Sequence, residues 1–397
     1  MVGLLSEKKI TLIIGALSLL LMLGGCGISG GGSDSNPQGS GSAESVLTEA
    51  PEPARRAIDE HSWGNAYYTI QAVSTGKALV ARNGAYDATG TGQAAVFYFK
   101  PSAPATYILY DQDSQYLKVN ATGTKVVRDA KLEDEVQWVA ARAAEGYTLK
   151  SLTSGKYLCA DSQGGLILKP VADTDCRFVF EPARGNNPFP EAELNVDILD
   201  TDGKPLEPYQ AMARPVPGQP IIGWCDAHIH VFANLGMGGT VIADEPFNPL
   251  GVTRALDDCT AEHGPHGILD LVGAVRNAET GYGFQLGHAT DGWPTFIAWN
   301  TDSITHQQAY YKWLERAWLG GQRVMMELGV NSEAWVIVRS MLTPWETFGE
   351  RNDTKIAEMQ INANYAMQDY IDAQYGGPGQ GWYRIVKNAA EARQVIS

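Results

Sequence analysis

Between residues 63 and 182, apolar and polar positions alternate in short runs separated by Gly, Asn and Asp turns, with no helical period. Side chains alternate faces along a strand, so the pattern predicts an all-β unit. Sliding the segment against itself exposes a repeat. Gly76-Lys77-Ala78-Leu79, Ser114-Gln115-Tyr116-Leu117 and Gly155-Lys156-Tyr157-Leu158 recur at intervals of 38 and 41 residues. Val96-Phe97-Tyr98-Phe99, Val136-Gln137-Trp138-Val139 and Arg177-Phe178-Val179-Phe180 recur in phase with them. Each copy opens on an aromatic strand, at Tyr67-Tyr68-Thr69-Ile70, Thr106-Tyr107-Ile108-Leu109 and Gly146-Tyr147-Thr148-Leu149. Three copies predict threefold packing with Phe97, Trp138 and Phe178 in the core.

From residue 221 the pattern changes. Ile221-Ile222-Gly223-Trp224 predicts a buried strand, and 253–263 a helix bearing Cys259. Residues 305–319 carry a helical period, with Tyr310, Trp313, Leu314, Ala317 and Trp318 on one side and Ser303 or Thr305 as the cap. A second strand is expected over 322–330, a long helix over 354–374 and another from 388 to 396. Gly376-Gly377-Pro378-Gly379 stops the long helix.

Composition adds the boundaries. Lys8 and Lys9 precede an apolar run over 10–23, too short to span a bilayer, so 1–26 reads as a targeting segment. Residues 27–60, dominated by Gly, Ser, Pro and Glu, form a flexible tether. The repeat occupies 61–185, a Pro/Asn/Gly-rich linker 186–220, and the strand–helix region 221–397. Within the linker, Asp200-Thr201-Asp202-Gly203 is an ordinary turn, lacking the carboxylates of a calcium loop. The net charge of −15, with no basic cluster past the N-terminus, excludes nucleic acid as a partner. With Cys26 set aside, four cysteines remain, and their placement favours Cys159 with Cys176 and Cys225 with Cys259. No C-x-x-C spacing occurs, so thiolate ligation of a metal is not expected.

The chemistry centres on Asp226-Ala227-His228-Ile229-His230. His228 and His230 share one strand face and can close on one divalent cation at the strand end. The alternative is a pair of core or surface histidines. Asp226, ahead of the pair, would support the site without ligating. His263, His266 and His288 lie in Gly/Pro-rich turns, where they are either loop residues or neighbours of the site. His306, in the first turn of the expected helix, would stay neutral, donating to substrate or making a structural hydrogen bond. Asn331, beyond the second strand, is a candidate for substrate contact.

Three resemblances attach to these residues. The threefold repeat, with its S/T-G-K-x-L turn-strand, resembles β-trefoils of the fascin-like or ricin-like type, which implies a glycan, cell-wall or protein ligand. The small residues before Cys26 resemble a bacterial lipobox. That implies lipidation of Cys26 and a lipid-anchored envelope protein, with Gly27 pointing to the outer membrane. The Asp226 to His230 stretch resembles the first-strand metal signature of amidohydrolase-type hydrolases. With His263-Gly264-Pro265-His266-Gly267, Thr305-His306-Gln307-Gln308 and 311–318, it resembles surface proteins near the membrane dipeptidases, which carry His-x-Asp where this chain has His-x-His. The resemblance implies a zinc-type hydrolase of amide bonds on a (β/α)8-type barrel. A complete barrel takes about 250 residues, and 177 follow from Ile221. The expected architecture is therefore an all-β trefoil followed by an α/β barrel incomplete at its C-terminus, truncated and inactive unless the chain continues. The competing expectation is a non-catalytic envelope binding protein that works through its trefoil.

Overall fold

The computed structural model describes residues 59–194, 220–239, 241–279, 287–288, 292–293, 305–334, 336–337 and 350–396. The targeting segment, the tether up to residue 58, Cys26 and the 200–203 turn lie outside the described residues. Among the described residues no helix is long and apolar enough to cross a membrane.

The repeat folds as three units, the first of five strands and the others of four. The first holds β1 (Ala66–Ala72), with its short partner β2 (Lys77–Ala78), β3 (Val80–Arg82), β4 (Ala85–Asp87) and β5 (Val96–Ala103). The second holds β6 (Thr106–Asp111), β7 (Tyr116–Val119), β8 (Val126–Asp129) and β9 (Gln137–Arg142). The third holds β10 (Tyr147–Ser151), β11 (Tyr157–Ala160), β12 (Leu166–Lys169) and β13 (Phe178–Pro182). First and last strands pair in the order β1–β5–β6–β9–β10–β13 and back to β1, closing a six-stranded antiparallel barrel. Hairpins β3–β4, β7–β8 and β11–β12 complete the units. This is a β-trefoil.

Closure removes the sheet edges, and the inward positions of the barrel strands supply a continuous core. Phe97, Trp138 and Phe178, the residues the repeat marks, are fully buried, with Ile70, Leu109 and Leu149 between them. Trp138 Nε1 donates to the Leu117 carbonyl at 2.7 Å, so its one polar atom is satisfied inside the core. Cys159 and Cys176 form the expected disulfide within the third unit.

The region after residue 220 is sparser in regular structure. Strand β14 (Trp224–Ile229) pairs in parallel with β15 (Gln322–Glu327). Between them come α1 (Val252–Ala255), α2 (Thr260–His263), α3 (Leu271–Glu279) and α4 (Tyr311–Leu319); α5 (Asp353–Gln374) and α6 (Ala389–Ile396) follow. Among the described residues these two strands form no closed barrel. The expectation of a buried β14 is corrected: Trp224, Ile221 and Ile222 are exposed, and only Ile229 of the strand packs against the core cluster, β14 having β15 as its one strand neighbour among the described residues. The single helix expected over 253–263 is two short turns, broken at 256–259.

The helix expected from 305 begins only at Tyr311. Residues 305–307 instead pair with Ala243, whose N–H donates to the Thr305 carbonyl at 2.9 Å and whose carbonyl accepts from Gln307 N–H at 3.0 Å. The Thr305 hydroxyl is committed to Asp270 at 2.8 Å and does not cap a helix. The long helix α5 appears as expected, capped by Asn352, whose side chain accepts from Lys355 N–H.

The trefoil packs directly on this region. Phe189 and Leu250 join Ile108, Tyr110, Tyr116 and Val136 in one buried cluster. Lys100 of β5 reaches Tyr370 of α5, its Nζ donating to the phenolic oxygen at 2.7 Å.

Candidate functional site

Three places in the described residues carry chemistry. The first is the strand-end pair. Ile229 is in register with Glu327, so His230 and Glu327 stand together where two adjacent parallel strands end. Strand ends of this kind are where α/β folds place their reacting groups. His230 Nδ1 lies 2.6 Å from the Leu328 carbonyl, which can only accept, so Nδ1 carries the proton and Nε2 presents a lone pair. That lone pair faces His228 Nε2 at 2.9 Å. Asp226 accepts the His228 backbone N–H at 3.0 Å. The Glu327 carboxylate accepts from Val231 N–H at 2.9 and 3.1 Å, and burial pushes its pKa up. Two imidazole nitrogens this close could share one divalent cation at ligand bonds of about 2.0–2.1 Å, with Glu327 outside the ligand set.

The second place is a buried cluster on other residues. Sγ of Cys259 and one ring nitrogen each of His263, His288 and His306 lie within 4.8 Å of one another. Cys259 and His263 are four apart on the turn of α2, where the His263 N–H donates to the Cys259 carbonyl at 2.8 Å, so both side chains leave the same face. His306 arrives on the bridge to Ala243, and His288 from a short segment whose N–H donates to the His266 carbonyl. Cys259 Sγ is 3.1 Å from His288 Nε2, and His288 Nε2 is 3.2 Å from His306 Nε2.

Behind the rings stand acceptors. His263 Nε2 meets the Val241 carbonyl at 3.1 Å, and His306 Nδ1 meets Asp244 Oδ2 at 3.4 Å. Asp270 Oδ2 lies 4.0 Å from His263 Nδ1 and 3.8 Å from His288 Nδ1, and it is fixed by Thr305 Oγ1, while Asp270 Oδ1 accepts from Gly273 N–H. Burial pushes the His263 and His306 imidazoles down to about 4 and lowers His288 as well, so all three are neutral at pH 7.

The third place is a cavity of about 330 Å³ where the trefoil meets the following region. Tyr98, Phe189, Tyr311, Tyr375, Glu191 and Lys312 line it, among others. Glu191 accepts from Tyr310 and Tyr311 hydroxyls at 2.6 and 2.7 Å.

Against the sequence, the structure brings His228 and His230 together and gathers His263, His288 and His306 elsewhere. His266 stays exposed, outside the buried cluster, with a left-handed backbone at φ 57°. Asn331 is committed to structure: its amide nitrogen donates to Asp353 Oδ1 at 2.6 Å and its oxygen accepts from Met237 N–H at 2.9 Å. The expected Cys225–Cys259 disulfide is absent, because Cys225 lies exposed on β14 while Cys259 is buried among imidazoles. Asp270, Asp244 and Glu327 are not among the sequence candidates, and Cys259 is there only as a disulfide partner. The i, i+4 spacing of Cys259 and His263 was the one available signal for the cluster.

No protein-family model and no curated protein matches the chain. Solved structures similar to part of it include a designed threefold-symmetric protein, ThreeFoil, at 20% identity over 29% of this chain and 96% of that one, TM-score 0.26. SeviL, in a structure bound to asialo-GM1 saccharide, is 18% identical over 30% of this chain and 98% of its own, TM-score 0.26. A Polyporus squamosus lectin, bound to a human-type influenza-binding epitope, is 15% identical over 30% and 49%, TM-score 0.27.

Proposed function

We propose that the region beyond residue 220 is a metal-dependent hydrolase of amide-type bonds, with the trefoil as an accessory binding domain. The observation that carries the reading is the 2.9 Å approach of His228 Nε2 to His230 Nε2 at the end of a parallel strand pair, beside Glu327. A bound divalent cation, zinc by its donor set, would polarise a carbonyl and activate water. The residues of the chain do the positioning. Leu328 holds the His230 tautomer, Asp226 holds the His228 backbone, and the Val231 N–H aims the Glu327 carboxylate.

The test uses the full chain loaded with zinc, manganese or cobalt and a panel of dipeptides and N-acyl amino acids. Hydrolysis of at least one substrate is expected, and His228→Ala/His230→Ala should lower it by more than about 100-fold. A parent protein inactive with every metal, or a double variant as active as the parent, would overturn the assignment.

A second reading is a saccharide-binding surface protein, anchored in the envelope through Cys26. The aromatic cavity favours it, because tyrosine faces flanked by carboxylate and ammonium groups suit sugar rings and hydroxyls. Under this reading an oligosaccharide binds the parent and the double histidine variant equally, and no peptide is cleaved.

A further inference from the structure

The tautomers in the buried cluster can be worked out from its outer partners. The Val241 carbonyl only accepts, so His263 Nε2 carries the proton and Nδ1 is a bare lone pair. That Nδ1 is buried and has no hydrogen-bond partner. Asp244 likewise draws the proton of His306 onto Nδ1, leaving a lone pair on Nε2. His288 Nδ1 turns toward Asp270, which leaves His288 Nε2 facing both His306 Nε2 and the sulfur of Cys259. Lone pairs and a thiol converge from four side chains on one point. The buried His263 Nδ1 without a partner is unfavourable, and a cation among the four donor atoms would satisfy it.

We propose that Cys259, His263, His288 and His306 form a four-ligand site for a borderline-soft divalent cation, zinc in the first instance, separate from the strand-end pair. One thiolate and three imidazoles suit such an ion and suit magnesium or calcium poorly. Four protein donors leave no open position, the mark of a structural site and not a hydrolytic one. Asp270 and Asp244 then act as the outer carboxylates that orient ligating imidazoles. The site would clasp α2, the 287–288 segment and the 305–306 bridge, a stretch whose described residues contain no strand longer than an isolated bridge. A metal here does for that stretch what a strand ladder does for the trefoil.

Cobalt gives the most direct readout. The full chain is stripped with chelator and titrated with cobalt(II) while its absorption spectrum is recorded. A thiolate-to-cobalt charge-transfer band and the visible bands of tetrahedral cobalt are expected. His228→Ala/His230→Ala should keep both, which separates this site from the hydrolase reading. Cys259→Ser should lose the charge-transfer band, and His306→Ala should lose one equivalent of bound metal. Asp270→Asn should keep the band while weakening affinity by about 10–100-fold. Near-ultraviolet circular dichroism of the trefoil aromatics reports whether each variant is folded. A folded parent that shows no thiolate band at saturating cobalt would overturn the proposal, leaving the cluster as imidazoles and a thiol sharing protons. A Cys259→Ser protein with the parent's spectrum and stoichiometry would overturn it as well.

Discussion

Lys100 is the residue at which the trefoil and the following region meet most closely. Its side chain is 3% exposed, and Nζ donates to the Pro101 carbonyl at 2.8 Å, the Pro249 carbonyl at 3.3 Å and the Tyr370 hydroxyl at 2.7 Å. The ammonium also lies 4.3 Å from the Tyr370 ring centroid. Burial nevertheless pushes its pKa down to about 7, with Glu191 pulling the other way. In the unfolded chain the same group titrates near its ordinary 10.5. Between those values the unfolded chain binds more protons than the folded one, so stability rises with pH across that window. Well below pH 7 both states are protonated, the cost is fully present and the dependence vanishes. Lys100→Met removes it. Urea denaturation at pH 7 and at about pH 9.5 should show the parent gaining stability relative to Lys100→Met as pH rises; a constant difference would count against the shift.

Among the elements, β9 carries the largest fully buried side chain of the described residues. Trp138 fills the centre of the trefoil core, and its indole N–H supplies the only hydrogen bond it can make, to Leu117. Trp138→Ala should cost about 3–5 kcal/mol through lost burial and the cavity left behind. Trp138→Phe should cost less, about 1–3 kcal/mol, because the ring remains but the Leu117 carbonyl loses its partner. Both variants lose the indole hydrogen bond, so equal costs in chemical denaturation would mean that burial of the ring contributes nothing beyond it. Trp138 was legible in the sequence because threefold packing repeats one burial requirement in each unit, and a repeated requirement leaves a period. The region after 220 has no such period. Its cluster is drawn from residues 259, 263, 288 and 306, and only the first two are related by a local geometry that sequence can express. Thr305 misled for a related reason. A helix cap is a local rule, but its hydroxyl goes to Asp270, thirty-five residues away. The His228/His230 pair was readable because the two are i, i+2 at the end of β14, His228 on the strand and His230 one residue past it, so a local spacing expresses their approach.

At the scale of the whole molecule the two folded parts differ in how they are held. The trefoil is a closed barrel with its own aromatic core and a disulfide closing a 17-residue separation. Among its described residues the following region has a largely exposed two-stranded sheet and short helices, and the longest element, α5, is held in part by the trefoil. Gln374 Nε2 donates to the Pro101 carbonyl at 2.8 Å, Asn65 Nδ2 donates to the Gln374 carbonyl at 2.9 Å, and Tyr370 lies under Lys100. Undocking α5 from β5 would also return the Lys100 ammonium to water, so at neutral pH its desolvation works against the contact. These features predict sub-global opening, with α5 released before the trefoil unfolds. Peptide-resolved hydrogen exchange should give α5 amides a smaller opening free energy than amides of β10. Tyr370→Ala should lower the α5 value by about 3–5 kcal/mol and leave β10 within about 0.5 kcal/mol of the parent. If α5 and β10 instead fall together in the variant, the two parts form one cooperative unit, and the trefoil's own core is not what limits its opening.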